Sequence, residues 1–317
     1  MKKTIFIAIL LFGVLVIVCF IPVKEKSIVT IEAPVIAISQ QINNAANWKK
    51  WNNSLKKDLL LDSSKYTVTN DYSLHTFSIA TPQQSFMVKS PTGNRFEITN
   101  KRNGRKFHYD VLLATDKKSN STNLVIEEKL SLFASIFSLK KNEKPDTNIF
   151  NYLKKFMETD SLYYGFPIEI RKVVDSNVVV LNRHIIAEEK FVVPSDMLKE
   201  LKAYTTANEL TITEPLMLQY SNLPPDSLNV LTMLSVNKPM GKKSNIRFMK
   251  MPVNGRMLVG YFKGKFKDRI QLQIAMQQYI LDKNIYSIVG SYEKYVNNNL
   301  PENEDSIVEI EMYFPIL

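Results

Sequence analysis

The chain of 317 residues carries one cysteine, nine glycines, three histidines and two tryptophans. Each scarcity closes a class of chemistry. The single cysteine, Cys19, lies inside an apolar run, so no intramolecular disulfide can form and thiol redox chemistry plays no part. His75, His108 and His184 fall on separate strand-like stretches, and none has a second His, Cys or carboxylate at ligand spacing. No metal site is expected. With so few glycines there is no G-x-S-x-G elbow and no glycine-rich phosphate loop, so no cofactor and no catalytic nucleophile can be assigned.

What is present suffices for large cores. Hydrophobic residues make up 45% of the chain and aromatic residues 10%, which is not a disordered composition, and the length fits about two domains. The 41 Lys and Arg against 31 Asp and Glu leave a net charge of +10. The basic pairs, among them Lys101-Arg102, Lys140-Lys141 and Lys242-Lys243, are dispersed as on solvated faces, with attraction to anionic lipid headgroups as a further effect. Two domains take up residues 27–317, leaving no helix-turn-helix, so a nucleic-acid partner is not expected.

Ile5 to Ile21 are seventeen uncharged, almost wholly apolar residues after Lys2-Lys3, at the lower edge of what spans a bilayer. Three readings compete: a cleaved signal, a lipoprotein signal and an uncleaved anchor. Ile21-Pro22-Val23-Lys24 lacks the small residues that cleavage wants, and Val18 stands where lipidation of Cys19 wants one. The expectation is therefore a single-pass membrane anchor over residues 1–26, with the body outside the cytoplasm.

Ser27 to Ala33 alternate like a strand, and Pro34 opens a helical run through Val35, Ile38 and Ile42. Trp48 and Trp51 stand three apart, on one face of a helix, as core anchors. Lys65 to Leu132 reads as six strands in a meander, with Asn103-Gly104 the strongest hairpin signal. A helix over about Asn148 to Tyr163 follows. Strand, helix with paired tryptophans, meander and closing helix resemble the START-like (SRPBCC) superfamily over about residues 27–165. The resemblance implies a helix-grip fold whose curved sheet often encloses an apolar cavity, and it brings no catalytic motif.

Gly165-Phe166-Pro167 marks a boundary. Beyond it an internal repeat emerges: Glu209 to Tyr220 overlays Asn284 to Tyr295 without a gap, Leu218 falling on Glu293 and Tyr220 on Tyr295. Each copy follows a helix-like run, Asp196 to Asn208 and Lys267 to Lys283, and precedes an alternating strand that ends in Pro. The order of Lys263-Gly264-Lys265-Phe266, a helix, Glu293-Lys294-Tyr295 and a closing Phe314-Pro315-Ile316 resembles the GyrI-like effector-binding family over about residues 170–317. That resemblance implies two pseudo-symmetric repeats lining a ligand cleft, in residues 166–317.

The expected fold class is thus α+β: an N-terminal transmembrane helix, a START-like domain, then a two-repeat GyrI-like domain. Residues 291, 293 and 295 share one strand face, with Leu216, Leu218 and Tyr220 opposite. Glu293 is expected to be the sole charge in a pocket of Leu218, Tyr220, Tyr295 and Phe266, with Met217 and Tyr292 on the reverse face. Such a pocket suits a small apolar or cationic ligand, held by stacking and cation–π attraction with the carboxylate as counter-charge. Three functions stay open: a membrane-anchored small-molecule binder, a hydrolase of reactive small molecules using Glu293 and a tyrosine, and a structural interaction protein with filled cavities. Against the site reading stands a Glu293 that merely pairs with Lys294 or another surface lysine.

Overall fold

The structure, a computed structural model, describes residues 22–102, 104–116, 120–131, 148–174, 177–240, 245–287 and 289–317. The expected anchor, Ile5 to Ile21, lies outside the described residues, as do Asn103, Ser119 and much of the stretch before residue 148. Among the described residues no helix is long and apolar enough to cross a membrane. The chain is α+β, with two antiparallel sheets, and divides into two compact units, Met1–Thr159 and Asp160–Leu317.

The first unit begins with β1 (Pro22–Ile31), which starts five residues earlier than the alternation indicates because it keeps pairing, down to Ser131, with the strand that ends the meander. Three short helices follow: α1 (Val35–Asn43), α2 (Ala45–Trp51) and α3 (Asn53–Leu61). Helix α1 buries Ala37, Ile38, Gln41 and Ile42, one stripe at helical spacing. Asn44 and Asn52 break the run into three helices by capping: the Asn44 side chain accepts from Ala46 N, and that of Asn52 from Ser54 N and Leu55 N. Trp48 and Trp51 share a face as read, fully buried with ring centroids 4.7 Å apart. Each donates its indole N–H to a carbonyl of α1, Trp48 to Ile42 and Trp51 to Gln41, so the rings enter the core without an orphaned donor.

The meander runs β2 (Thr67–Asp71), β3 (Thr76–Ala80), β4 (Gln84–Thr92), β5 (Arg95–Arg102), β6 (Arg105–Thr115) and β7 (Thr122–Ser131). The sheet order is β1-β7-β6-β5-β4-β3-β2, so the first strand of the chain docks beside the last strand of the meander. Gly104, at φ +74°, takes the left-handed turn conformation between β5 and β6. Helix α4 (Asn148–Met157) buries Ile149, Phe150, Leu153, Phe156 and Met157, with the Phe150 ring edge-on to Tyr109 at 5.9 Å.

The second unit holds α5 (Asp160–Tyr163), β8 (Ile168–Lys172), β9 (Asn177–Ile186), α6 (Val193–Ala207), β10 (Met217–Leu223), β11 (Ser227–Ser235), β12 (Arg247–Lys250), β13 (Arg256–Lys265), α7 (Ile270–Asp282), β14 (Tyr292–Tyr295) and β15 (Ile307–Ile316). Its sheet order is β12-β9-β11-β10-β14-β15-β13-β8. Two β-α-β-β repeats are visible in that order: β9-α6-β10-β11 and β13-α7-β14-β15, meeting through the equivalent strands β10 and β14. Both repeats leave their helix through a non-glycine residue at positive φ, Glu209 (+50°) and Asn284 (+52°), which the sequence overlay places at one position. The second copy is less extended than its sequence suggests. Of Asn284 to Tyr295 only the last four residues form β14, and Ser287 makes an isolated bridge to Ile316.

The period-two alternation of the strands divides the core. One face packs under the helices, with Leu216, Leu218, Leu258 and Ile310 against Met197, Leu201, Leu272 and Met276. The other face gathers Val178, Val180, Met217, Met233, Met257, Val259, Tyr292 and Tyr313.

Candidate functional site

At the junction of the repeats β10 and β14 pair over a short ladder, Met217 opposite Lys294 and Leu218 opposite Glu293, extended by the bond from Tyr295 N to Leu216 O at 2.9 Å. Strand β14 therefore lies at the centre of an eight-stranded sheet, and its alternate side chains go to different surroundings. Glu293 and Tyr295 point under the helices, while Tyr292 and Lys294 point to the other face.

Burying a carboxylate costs several kcal/mol unless it is paired and hydrogen-bonded. Glu293 is 8% exposed, and both of its oxygens are engaged. Arg269, in the turn leading into α7, donates from Nε to Oε1 at 2.7 Å, and the Tyr295 hydroxyl donates to Oε2 at 2.8 Å. Arg269 also donates from Nη1 to the Phe266 carbonyl at 3.1 Å. Its guanidinium carbon lies 3.4 Å from the Phe266 ring centroid and 5.8 Å from that of Tyr220. A guanidinium flat on a ring and bound to a carboxylate combines cation–π attraction with a charge-assisted hydrogen bond.

The five residues singled out by sequence, Glu293, Tyr295, Tyr220, Leu218 and Phe266, are thus brought together around one point. Their surroundings differ from the expectation in one respect. Glu293 is not the sole charge there, because Arg269 brings a cation into the place reserved for a ligand. The lysine alternative fares no better: Lys294 points to the opposite face and pairs with Glu214 at 2.6 Å and Glu311 at 3.6 Å.

Leu218, Phe266 and Tyr295 are fully buried, whereas Tyr220 is half-buried. The Tyr220 hydroxyl is shielded from solvent beside Tyr295, without a hydrogen-bond partner in good geometry. Burial, then the charge of Glu293, pushes both phenols well above their ordinary value. They stay protonated at any physiological pH, so Tyr295 is a fixed donor to Glu293.

Two members escaped the sequence reading, Arg269 and Phe191. Phe191 meets the Phe266 ring edge-on at 5.5 Å. The signal for it was available: Lys190-Phe191 and Lys265-Phe266 are the same dipeptide 75 positions apart, the offset that relates Leu218 to Glu293 and Tyr220 to Tyr295. The cluster is therefore built twice over, as Phe191/Phe266, Tyr220/Tyr295 and Leu218/Glu293. Extending the offset places Pro194 at the position of Arg269. Both charges belong to the second repeat, and the first has apolar residues at both places.

Among the described residues no group of His, Cys, Asp and Glu is arranged to hold a metal ion.

No protein-family model matches the chain, and no curated protein matches its sequence. Among solved structures it is similar to the C-terminal domain of EcmrR, at 15% identity and a TM-score of 0.36 over 48% of this chain and 98% of that one. It is similar to SAV2435 bound to tetraphenylphosphonium, at 7% identity and a TM-score of 0.30 over 48% and 94%. A likeness to the di-domain ARO/CYC StfQ from the steffimycin biosynthetic pathway spans 92% of this chain and 85% of that one, at 9% identity and a TM-score of 0.31.

Proposed function

We propose that the protein is a small-molecule binder whose second unit, read as a GyrI-like effector-binding domain, takes an organic cation at Glu293, with Arg269 holding that place in the absence of ligand. The observation that carries this reading is the seat of Arg269, stacked 3.4 Å from the Phe266 ring centroid and bound to Glu293 at 2.7 Å. A flat aromatic cation would stack with more ring area and set its own charge against the carboxylate.

The energetics favour exchange over simple addition. A ligand cation entering beside Arg269 would face like charge, so it must displace the side chain, and only the difference in affinity counts. Arg269 is 21% exposed in its side chain against 11% for Glu293. The arginine sits on the solvent side and can swing out to water while the carboxylate keeps a counter-ion.

The hydrolase reading draws less support. Both Glu293 oxygens are committed, and a phenol pushed far above neutrality is a poor proton donor, since useful general acids titrate near the working pH. In the same proposal the first unit is a START-like domain, and residues 5–21 anchor an extracytoplasmic body.

The test is titration of the full chain with a quaternised aromatic heterocycle and its neutral parent. The cation should bind more tightly to the native protein. Arg269→Ala should tighten the cation by about tenfold, and Glu293→Gln should weaken it by about 30-fold or more, while the neutral parent barely changes. Ethylguanidinium should restore thermal stability to Arg269→Ala by filling the vacated seat. Equal losses for both ligands with Glu293→Gln, or no rescue by ethylguanidinium, would remove this function.

A further inference from the structure

The first unit holds a cavity of about 110 Å³, lined from β4 and β5 on the sheet side and from α3 and α4 on the helix side. The alternation of β5 puts Phe96, Ile98 and Asn100 on one face, and the first two are fully buried. Asn100 stands where that stripe calls for an apolar side chain, opposite Phe86 on one neighbouring strand and Phe107 on the other. It is 5% exposed, and its Oδ1 has no hydrogen-bond partner among the described residues.

On the helix side the cavity meets Asn52, which is 1% exposed and whose Nδ2 likewise lacks a described partner. The orientation of this amide is fixed. Its Oδ1 accepts from Ser54 N at 3.1 Å, Ser54 Oγ at 2.7 Å and Leu55 N at 3.2 Å, so the nitrogen is the end left over. A buried donor and a buried acceptor thus line one space, and unpaired polar atoms in a protein interior are rare and costly. Two cations complete the lining: Lys57, one turn after Asn53 on α3, and Arg102, two residues beyond Asn100 on the same face of β5. Both are exposed, neither has an ion-pair partner among the described residues, and no described carboxylate lines the cavity.

We propose that this cavity binds a short carboxylate that ends in a primary carboxamide. Volume sets the enclosed part. A cavity near 150 Å³ takes a benzene ring, so this one takes roughly four or five non-hydrogen atoms, an amide with a methylene or two. The amide carbonyl accepts from Asn52 Nδ2 and the amide N–H donates to Asn100 Oδ1, so both orphaned atoms gain partners. The methylenes lie against Phe86 and Ile149, which supply the apolar wall. The carboxylate stays at the rim in water, where Lys57 and Arg102 attract it without being desolvated. A wholly apolar ligand, of the kind the START-like resemblance suggests, would leave both asparagine amides unpaired.

Three probes test this on the full chain by calorimetry: succinamate, succinamide and monomethyl succinate. Monomethyl succinate keeps the charge and a carbonyl but has no N–H to donate, and succinamate should bind about tenfold more tightly. Succinamate should also exceed neutral succinamide by about threefold at low ionic strength, a margin that vanishes in roughly 0.5 M salt. Asn100→Leu, an apolar residue of similar size on an apolar stripe, should abolish the preference for amide over ester. Arg102→Gln, a change at an exposed position, should remove the threefold margin and leave succinamide unchanged. Glu293→Gln should alter none of these affinities. Equal binding of amide and ester, an amide preference that survives Asn100→Leu, or no heat with succinamate would overturn the proposal.

Discussion

Leu218 and Glu293 face one another across the ladder that joins the two repeats, and the repeat overlay makes them the same position. The approximate twofold axis of the second unit therefore passes beside a leucine paired with a glutamate. The first repeat shows that an apolar residue satisfies the position, so the glutamate is an addition made with its own counter-ion, Arg269, where the first repeat has Pro194.

This relationship predicts an asymmetric thermodynamic cycle. Arg269→Leu leaves a buried carboxylate with only Tyr295 as partner and should cost about 3–5 kcal/mol. Glu293→Leu leaves a guanidinium that can turn to solvent and should cost no more than about 1–2 kcal/mol. The double variant should be more stable than Arg269→Leu alone, with a coupling energy of about 2–3 kcal/mol. Urea unfolding of the four proteins measures it, and additive losses would show that the pair is not coupled.

Alkaline pH should unfold the protein through its tyrosines. Burial, the first cause in each case, pushes Tyr220, Tyr295, Tyr292 and Tyr313 above the ordinary value near 10. The unfolded chain thus loses these protons before the native one does. Stability is unaffected below pH 10 and falls as pH rises from there toward the folded values, by up to about 1.4 kcal/mol per pH unit for each tyrosine. Absorbance of tyrosinate should show a block of phenols ionising together with loss of structure. Independent titration near pH 10 in a folded protein would contradict their burial.

Glu209 holds a left-handed backbone, φ +50°, at an exposed position after α6, where the second repeat uses Asn284. A non-glycine residue there costs about 1 kcal/mol, less for asparagine. Glu209→Asn should therefore raise stability by about 0.5 kcal/mol and Glu209→Ala should not. Thermal denaturation of the two variants side by side decides it.

Much of this architecture could be read from the chain. Pro34, the tryptophan spacing and the turn residues located the elements of the first unit, because each rests on local stereochemistry. Leu218, Tyr220, Phe266, Glu293 and Tyr295 were found through the repeat and the family resemblance, and they do cluster. Arg269 was missed for a physical reason: it lies in a run of basic residues, Lys263 to Arg269, whose other members are solvent-facing or paired with surface acids such as Asp305 and Glu309. Nothing local separates the one cation that turns inward. The edge strands β8 and β12 were also missed, because four- and five-residue strands at a sheet margin carry too few residues for a period to register.

Residues 5–21 were read as an uncleaved anchor, and that reading has its own test. A reporter fused to the C-terminus and active only outside the cytoplasm should be active, and the protein should fractionate with membranes at full length. A cytoplasmic reporter signal, or a mature chain beginning after residue 20, would replace the anchor.

The margins of the second sheet are crossed over. Strand β8, which precedes the first repeat, lies on β13 of the second, and β12, which precedes the second repeat, lies on β9 of the first. During synthesis on the ribosome, β8 emerges some 90 residues before its partner and must wait, while β9 and β10 present open edges. Each open edge is a template for wrong pairing until the next segment arrives. A chain stopped between Lys250 and Arg256 would have β12 in place, yet β8 would be unpaired and β10 uncovered. The first repeat can assemble with β12, but β8 and the edge of β10 wait for the second, and the sheet is complete only when its last strand, β15, has seated between β13 and β14.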